Sequence, residues 1–160
     1  MTIPPTVAAG TYYIGVIADY NNTRAESNET NNALRGSTIP IVLPDLVMTA
    51  VSGPTSGTKG ASISISNTVK NQGVGGAASS AIGLYLSTDA NITTADLRLG
   101  TRSVGSLAAG ASSSATTNVA IPTTVAAGTY YVGAVADYAN TAKESNETNN
   151  ARSGNTISIQ

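Results

Sequence analysis

The feature that most constrains the fold of this chain is a long internal repeat. Residues 3–41 align with residues 121–159 without a gap, at an offset of 118 positions, and most positions are identical. Where the copies differ inside the apolar stretches, as at Ile14 and Val132, the apolar character is kept. Self-similarity at a fixed, long period indicates a structural module that recurs along the chain.

The repeat predicts where one unit ends and the next begins. A unit of this period leaves room for one whole copy and part of another in 160 residues. We expect residues 44–160 to form a complete domain. We expect residues 1–43 to be the C-terminal third of a preceding repeat, with two strands, around 12–17 and 39–43. Because Leu43-Pro44-Asp45 joins these parts with little slack, proline should restrict the orientation of neighbouring modules.

The complete unit alternates in the manner of half-buried β-strands. In Ala61-Ser62-Ile63-Ser64-Ile65-Ser66 the apolar residues fall on one face and the serines on the other. Gly, Pro and Asn punctuate the segments, and no stretch shows a sustained helical stripe. Seven strands are predicted, at 45–51, 61–66, 81–86, 97–107 (interrupted near Thr101), 112–121, 129–138 and 155–159.

Seven short strands of this kind are typical of an all-β, immunoglobulin-like antiparallel β-sandwich. The tyrosine corner of such folds gives a second indication, since Tyr130 follows Gly128 at the entrance of the sixth predicted strand. We assign Tyr130 this structural role, and Tyr12 the same role in the partial copy. The alternative is that Tyr130 only fills the core.

Composition excludes several classes of function. The chain has no Trp, Phe, Cys or His, so its core must be aliphatic, and neither disulfide nor Ser-His-Asp chemistry is available. With 8 basic and 9 acidic residues it offers no basic stripe for nucleic acid. No apolar run is long enough to span a membrane. The carboxylates of Asp89, Asp96, Asp137, Glu144 and Glu147 are expected in solvated polar loops, so we predict no enzyme activity.

Residues 89–96 form a candidate Ca²⁺ loop. Its oxygen-bearing side chains follow an i, i+2, i+4, i+7 spacing at Asp89, Asn91, Thr93 and Asp96, and Ca²⁺ prefers such oxygens. The loop lacks the glycine and distal glutamate of an EF-hand. The favoured alternative is an Asx turn in which Asp89 and Asn91 bond their own backbone. No other cofactor is expected.

The segment between the last two predicted strands, residues 137–150, is long and rich in Asn. A loop of this length must satisfy its own backbone polar groups, and Asn and Asp side chains do so by mimicking turns. We therefore assign structural roles here, although Asp137 and Glu144 sharing a cation is the alternative. The residues so assigned are Asp137, Asn140, Glu144, Glu147, Asn149 and Asn150.

These residues resemble the CARDB family, the cell-adhesion-related domain found in bacteria. The resemblance covers 44–160 and rests on the opening Pro-Asp-Leu-Val, on the middle segment 83–89, on the segment 127–131, and on Asp137 with the string 144–150. It implies an immunoglobulin-like sandwich that occurs in tandem in large surface or secreted microbial proteins, without catalytic activity. The first 43 residues depart from it, because they lack the first five strands of their unit.

The sequence therefore predicts an extracellular structural or adhesion module, useful in a stalk or fibre. Its expected partners are neighbouring copies of the module, within the chain or by strand addition between chains, since a lone hairpin leaves its apolar face uncovered. A carbohydrate-binding or Ca²⁺-dependent module, or an accessory domain of a secreted enzyme, is the alternative.

Overall fold

The computed structural model describes residues 3–4 and 6–160. Its contacts divide the chain into two compact units, Met1–Val42 and Leu43–Gln160. The first unit contains one antiparallel hairpin, formed by β1 (Gly10–Ile17) and β2 (Ala33–Ile41). Gly10 pairs with Ile41 and Ile17 with Ala33, and the register shifts once between Tyr13 and Gly15.

The second unit contains eight strands and no helix. All its strands but one are seven to ten residues long. The strands are β3 (Leu46–Ser52), β4 (Ser56–Gly57), β5 (Ser62–Asn71), β6 (Ser80–Ser87), β7 (Leu97–Val104), β8 (Ser112–Ala120), β9 (Gly128–Val135) and β10 (Ala151–Ile159).

The eight strands form two sheets with an aliphatic interior. One sheet has the order β4-β10-β9-β6-β7 and the other the order β3-β5-β8. Every second residue of β5 from Ile63 onward is buried, as the period of a strand with one covered face requires. The same core includes Leu46 of β3, Leu84 of β6, Val132 of β9 and Ile157 of β10, each fully buried. Burial of these side chains, each worth roughly 1.5–3 kcal/mol, holds the sheets together.

A smaller cluster lies on the other face of the five-stranded sheet. Tyr85, Ile92 and Val135 are buried there, with Tyr131 and Tyr138 packed against them. Ile92 belongs to the loop between β6 and β7, so this loop folds over β6 and β9. Gly133 makes the approach feasible, since any Cβ at that position would collide with the Ile92 side chain.

Several strand bounds predicted from the sequence were wrong. β2 starts at Ala33 and not near Ile39, and β7 is continuous and ends at Val104 and not at Leu107. β10 starts at Ala151 and not at Asn155, because residues 151–153, which show no apolar alternation, still pair with β9 before a bulge between Ser153 and Thr156. β5 continues to Asn71, since two asparagines take inward positions. β9 ends at Val135, where Asp137 turns the chain with a φ of 40°. The two-residue β4, parallel to β10, adds a strand to the seven predicted.

Candidate functional site: the loop between the last two strands

The loop between β9 and β10 is organised by the carboxylate of Asp137. Its Oδ1 accepts a hydrogen bond from the Thr141 hydroxyl at 2.8 Å, and its Oδ2 accepts one from the Ala142 amide at 2.7 Å. Asp137 and Asn140 both have positive φ, 40° and 50°, which Asp and Asn tolerate better than most residues. The side chain is 5% exposed. The expectation of a solvated carboxylate was therefore wrong for Asp137.

Glu144 is a second buried carboxylate of this loop, also 5% exposed. One of its oxygens accepts a hydrogen bond from the backbone amide of Leu46, and the other from the Asn150 side chain at 2.9 Å. Its own amide donates to Oε1 of Glu147 at 2.7 Å. Burial raises the pKa of Glu144 above its ordinary value, and the hydrogen bonds from Leu46 and Asn150 oppose the shift. The prediction of a solvated side chain was wrong here as well.

Further bonds connect the loop to the segment that leads into β3. The Ser145 amide donates to the carbonyl oxygen of Pro44 at 2.8 Å. The Asn149 side chain donates to Oδ1 of Asp45 at 2.9 Å. Together with the Glu144–Leu46 bond, these contacts hold the entrance of the unit against the loop that precedes its last strand. We call this set of three bonds the clasp.

A cavity of about 240 Å³ lies beside the loop. Of the residues selected from the sequence it brings together Asp137, Asn140, Glu147 and Asn150, and Thr94 and Tyr138 also line it. Among the residues that the structure describes, two buried side-chain atoms have no hydrogen-bond partner: Oδ1 of Asn150, which lines the cavity, and Oδ1 of Asn149, which does not. The cavity is therefore polar at several points of its wall.

The candidate Ca²⁺ loop lies between β6 and β7. Oδ1 of Asp89 accepts a hydrogen bond from the Asn91 amide at 2.8 Å, and Oδ2 of Asp96 accepts one from the Thr93 amide at 2.7 Å. These are turn-forming bonds of the kind that the Asx alternative describes. In the described part of the chain, no three Asp, Glu, His or Cys side chains gather in a manner that could hold a metal ion. Ca²⁺ binding by this loop stays a prediction.

Tyr130 lies at the entrance of β9, as the sequence indicates. Its hydroxyl donates to the carbonyl oxygen of Ala126, four residues upstream, at 3.1 Å. Tyr12 donates to Ala8 at the same distance in the hairpin. Both hydroxyls thus bond back to upstream backbone, which is the geometry of a tyrosine corner.

Sequence reasoning missed two buried asparagines of β5 and their partners. Asn71 is fully buried and donates to the carbonyl oxygens of Gly75, Leu107 and Ala108, while its Oδ1 accepts the amides of Asp45 and Gly73. The signal was present in the alternation, since positions 63, 65, 67, 69 and 71 share one face of a strand.

The second of these asparagines joins the two sheets. Oδ1 of Asn67 accepts a hydrogen bond from Nε of Arg102 at 2.7 Å. The same guanidinium donates to the hydroxyl and the carbonyl oxygen of Ser113, at 2.9 and 3.1 Å. Arg102 belongs to β7 of the five-stranded sheet, and its partners belong to β5 and β8. Polar contacts therefore close one edge of the sandwich.

Apart from Oδ1 of Asn149 and Asn150, the buried polar side-chain atoms described in this unit bind one another or its backbone. The carboxylates of Asp137 and Glu144 are used as hydrogen-bond acceptors inside the fold, an arrangement that stabilises loops. The described residues also form no helix long and apolar enough to cross a membrane.

Solved structures share the fold of the complete unit. The complete unit is similar to the CARDB domain of the PF1109 protein from Pyrococcus furiosus, solved in complex with di-metal ions, with 25% identity and a TM-score of 0.54 over 73% of this chain and 94% of that one. A solution structure of the same domain gives 24% identity and a TM-score of 0.54, over 74% and 97% of the two chains.

A domain of a Methanosarcina acetivorans protein, whose name assigns it provisionally to the cell surface, shares the fold. It is 21% identical, with a TM-score of 0.51 over 74% of this chain and 93% of that one. No curated protein matches the chain. These likenesses confirm the all-β, immunoglobulin-like class that the strand pattern predicts.

The CARDB family profile matches residues 43–154, which include the clasp, the candidate Ca²⁺ loop and every strand of the two sheets except the second half of β10. The resemblance inferred from the sequence motifs is thereby confirmed, and this chain belongs to the CARDB family.

Proposed function

We propose that the chain is a non-catalytic structural module of a tandem-repeat protein that is secreted or displayed on a microbial cell surface, where it serves in adhesion as part of a stalk or fibre. CARDB domains are non-catalytic modules associated with cell-surface proteins, which supports the general role. The internal repeat at an offset of 118 positions supports the tandem arrangement.

The observation that carries the proposal is the position of the two ends of the complete unit. The chain enters beside the loop before β10, where Ser145 bonds Pro44. It leaves beyond the far end of β10, where the amide of Gln160 donates to Gly57 at 3.0 Å. β10 has nine residues, so entrance and exit lie about 30 Å apart at opposite ends of the sandwich. A module with this geometry transmits tension along its long axis.

The pairing of the last strand suits such a load. β10 is parallel to β4, and Ser158 donates to the carbonyl oxygen of Thr55 at 2.9 Å. The other two bonds join Gln160 to Gly57 and Lys59 to Gln160. Tension on the ends pulls β4 and β10 in opposite directions along the strands. The three bonds are therefore loaded together, in shear, and are not broken one after another.

Single-molecule stretching of residues 43–160 between inert handles tests this role. We expect one cooperative rupture, with a gain in length of about 360 Å, because 118 extended residues span about 390 Å and the folded unit already spans about 30 Å. Ser158→Pro should lower the rupture force, because it removes only the amide that faces β4. We expect the strand to tolerate proline at this position, since Pro40 occupies the matching position of β2. Ser158→Ala is the control. Extension without a rupture event would refute a tension-bearing role.

A second candidate is a Ca²⁺-dependent binding module, favoured by the unpaired Oδ1 of Asn150 beside Asp137 and Glu147 in the wall of the cavity. Melting in Ca²⁺ and in chelator distinguishes the candidates, because a ligand that binds only the folded state raises Tm. The structural role predicts the same Tm in both. A rise that Asp89→Asn with Asp96→Asn abolishes would place the ion at the candidate Ca²⁺ loop, and one that Glu147→Gln abolishes would place it at the cavity.

A further inference from the structure

Two nearly identical strand pairs of this chain have opposite surroundings. In β9, Val132 and Ala134 are fully buried. At the matching positions of β1, Ile14 is 41% exposed and Val16 is 64% exposed. An uncovered apolar face of this kind marks a place where another protein surface binds. The second copy shows which surface covers it.

In the complete unit, the inner face of β9 and β10 lies against β3 and β5. A Cβ at Gly53, just after β3, would lie 3.2 Å from the Val132 side chain and 3.7 Å from Ile65 of β5. A Cβ at Gly154 of β10 would meet the carbonyl oxygen of Val51 in β3 at 2.5 Å. The strand pair is therefore covered by the strands that precede it in its own repeat.

Gly15 is a second position of the hairpin whose counterpart is covered in the complete unit. Its counterpart Gly133 lies directly under Ile92, so that no side chain fits there. Around Gly15, the nearest atom to an added Cβ is the carbonyl oxygen of Leu34, at 3.3 Å. The hairpin thus keeps the bare surface that an isoleucine from a β6–β7 loop requires.

The hairpin loop also has the internal bonds of the loop that carries the clasp in the complete unit. The Glu26 amide donates to Oε1 of Glu29 at 2.7 Å, which matches the Glu144–Glu147 bond in partners and length. Asp19 accepts the amides of Thr23 and Arg24 and has a φ of 42°, close to that of Asp137. Glu26 is exposed, whereas Glu144 is buried against the Leu46 amide. Glu26 is therefore placed to accept the amide that opens a first strand.

In the complete unit, the place that the hairpin would take is already filled by its near-identical counterpart β9–β10. Covering strands in the same arrangement are therefore to be sought in another repeat.

We propose that the apolar face of β1–β2 is the docking surface for the first six strands of the preceding repeat of the same polypeptide, equivalent to residues 43–120 of this chain. The inference rests on the proposed tandem function and names the partner of the hairpin. The partner begins with a Pro-Asp-Leu-like first strand whose amide meets Glu26, and carries an apolar side chain that covers Gly15.

The repeat allows this partner to be supplied from the chain itself. A second copy of residues 43–120 is added directly before Ile3. Its Ala120 then precedes Ile3 as Ala120 precedes Ile121 in the original chain. Val16→Cys provides the only thiol, since the chain has no Cys. We expect this thiol to react rapidly in the original chain and at least about 100-fold more slowly in the extended one. Ala134→Cys, in the filled sandwich, gives the protected reference.

Three controls make the result decisive. Leu34→Cys should react equally in both chains, because Leu34 is 71% exposed and matches the exposed Arg152. Adding Gly15→Val to Val16→Cys should restore the reactivity of the thiol in the extended chain alone. Protection must also be independent of protein concentration, because protection that grows with concentration would place the partner in another chain and overturn the proposal. Equal reactivity of the Val16→Cys thiol in the two chains would overturn it as well.

The stretching experiment on residues 43–160 does not involve the hairpin. A cooperative rupture together with an unprotected thiol in the extended Val16→Cys chain would remove only the docking inference. Protection of that thiol without a rupture event would remove the tension-bearing role and leave the docking surface in place.

Discussion

The buried carboxylate of Glu144 accepts a hydrogen bond from the backbone amide of Leu46, 98 residues earlier in the chain. This bond joins the loop before the last strand to the first residue of the first strand of the same unit. The two segments enclose the sandwich at the end where the chain enters it. The stability of the unit therefore depends on a contact between its first and last thirds.

Removal of this carboxylate should destabilise the complete unit. Glu144→Ala leaves the Leu46 amide and the Asn150 side chain without their acceptor, and hydrogen bonds to charged groups are worth roughly 1.5–3 kcal/mol each. We expect a loss of about 2–4 kcal/mol in the free energy of unfolding, measured by urea denaturation. The matched control is Glu26→Ala at the exposed counterpart, where the change should stay within about 0.5 kcal/mol. Equal losses in both variants would contradict a clasp specific to the complete unit.

The contribution of Glu144 should depend on pH. Burial raises the pKa of Glu144 in the folded protein, and the charges of Glu147 and Asp137 act in the same direction. The folded state therefore holds the proton more tightly than the unfolded state. The resulting stability is fully present below the ordinary glutamate pKa of about 4.3 and is lost as the pH rises through the raised value. The stability of the wild type relative to Glu144→Gln should be larger at pH 4 than at pH 7, as measured by denaturation at each pH. A difference that grows with pH would contradict the direction of the shift.

Removal of the Arg102 side chain should lower the stability of the unit more than removal of an exposed arginine. Arg102→Met removes the donor to the buried Oδ1 of Asn67 and both bonds to Ser113. An unsatisfied buried acceptor costs roughly 1–3 kcal/mol, so we expect a loss of about 2 kcal/mol in chemical denaturation. Arg152→Met, at an exposed position of β10, is the control and should change little. Similar stabilities of the two variants would show that the polar link between the sheets is unimportant.

The two tyrosine corners provide a paired test. Tyr130→Phe removes the bond to Ala126 and should lower the stability of the complete unit by about 0.5–1.5 kcal/mol. Tyr12→Phe makes the same change in the hairpin and should leave the main unfolding transition unchanged. Calorimetry of the full chain measures both. A loss on the Tyr12 change equal to that on the Tyr130 change would mean that the hairpin unfolds together with the complete unit.

Residues with a regular apolar period could be placed from the sequence. The alternation around Ile63 and Ile65 indicates one strand and its inward face, and Gly128 with Tyr130 marks the start of another. The family follows from motifs that include Asp137 and residues 144–150. These features depend on neighbours in sequence, which a single chain displays directly.

The remaining features depend on contacts between distant residues. Asn67 and Asn71 occupy inward positions because Arg102 and the carbonyl oxygens of other segments satisfy their side chains. Glu144 is buried for the same reason, since the distant Leu46 amide serves as a donor. The donors to Asp137 are local, Thr141 and Ala142, so the turn but not the burial of Asp137 could be expected from the sequence. A polar residue whose partner lies 35 or 98 positions away looks solvated in the sequence.

Amide hydrogen exchange on the full chain tests the account most directly, because the chain contains its own control. Segments 10–41 and 128–159 are nearly identical, and only the second has a covering sheet. We expect the amides of Val132 and Ile157 to exchange only through global unfolding of the unit. Those of Ile14 and Ile39 should exchange faster by several orders of magnitude, since an uncovered hairpin is marginally stable. Equal protection of the two segments would contradict the claim that packing against the preceding strands completes each module.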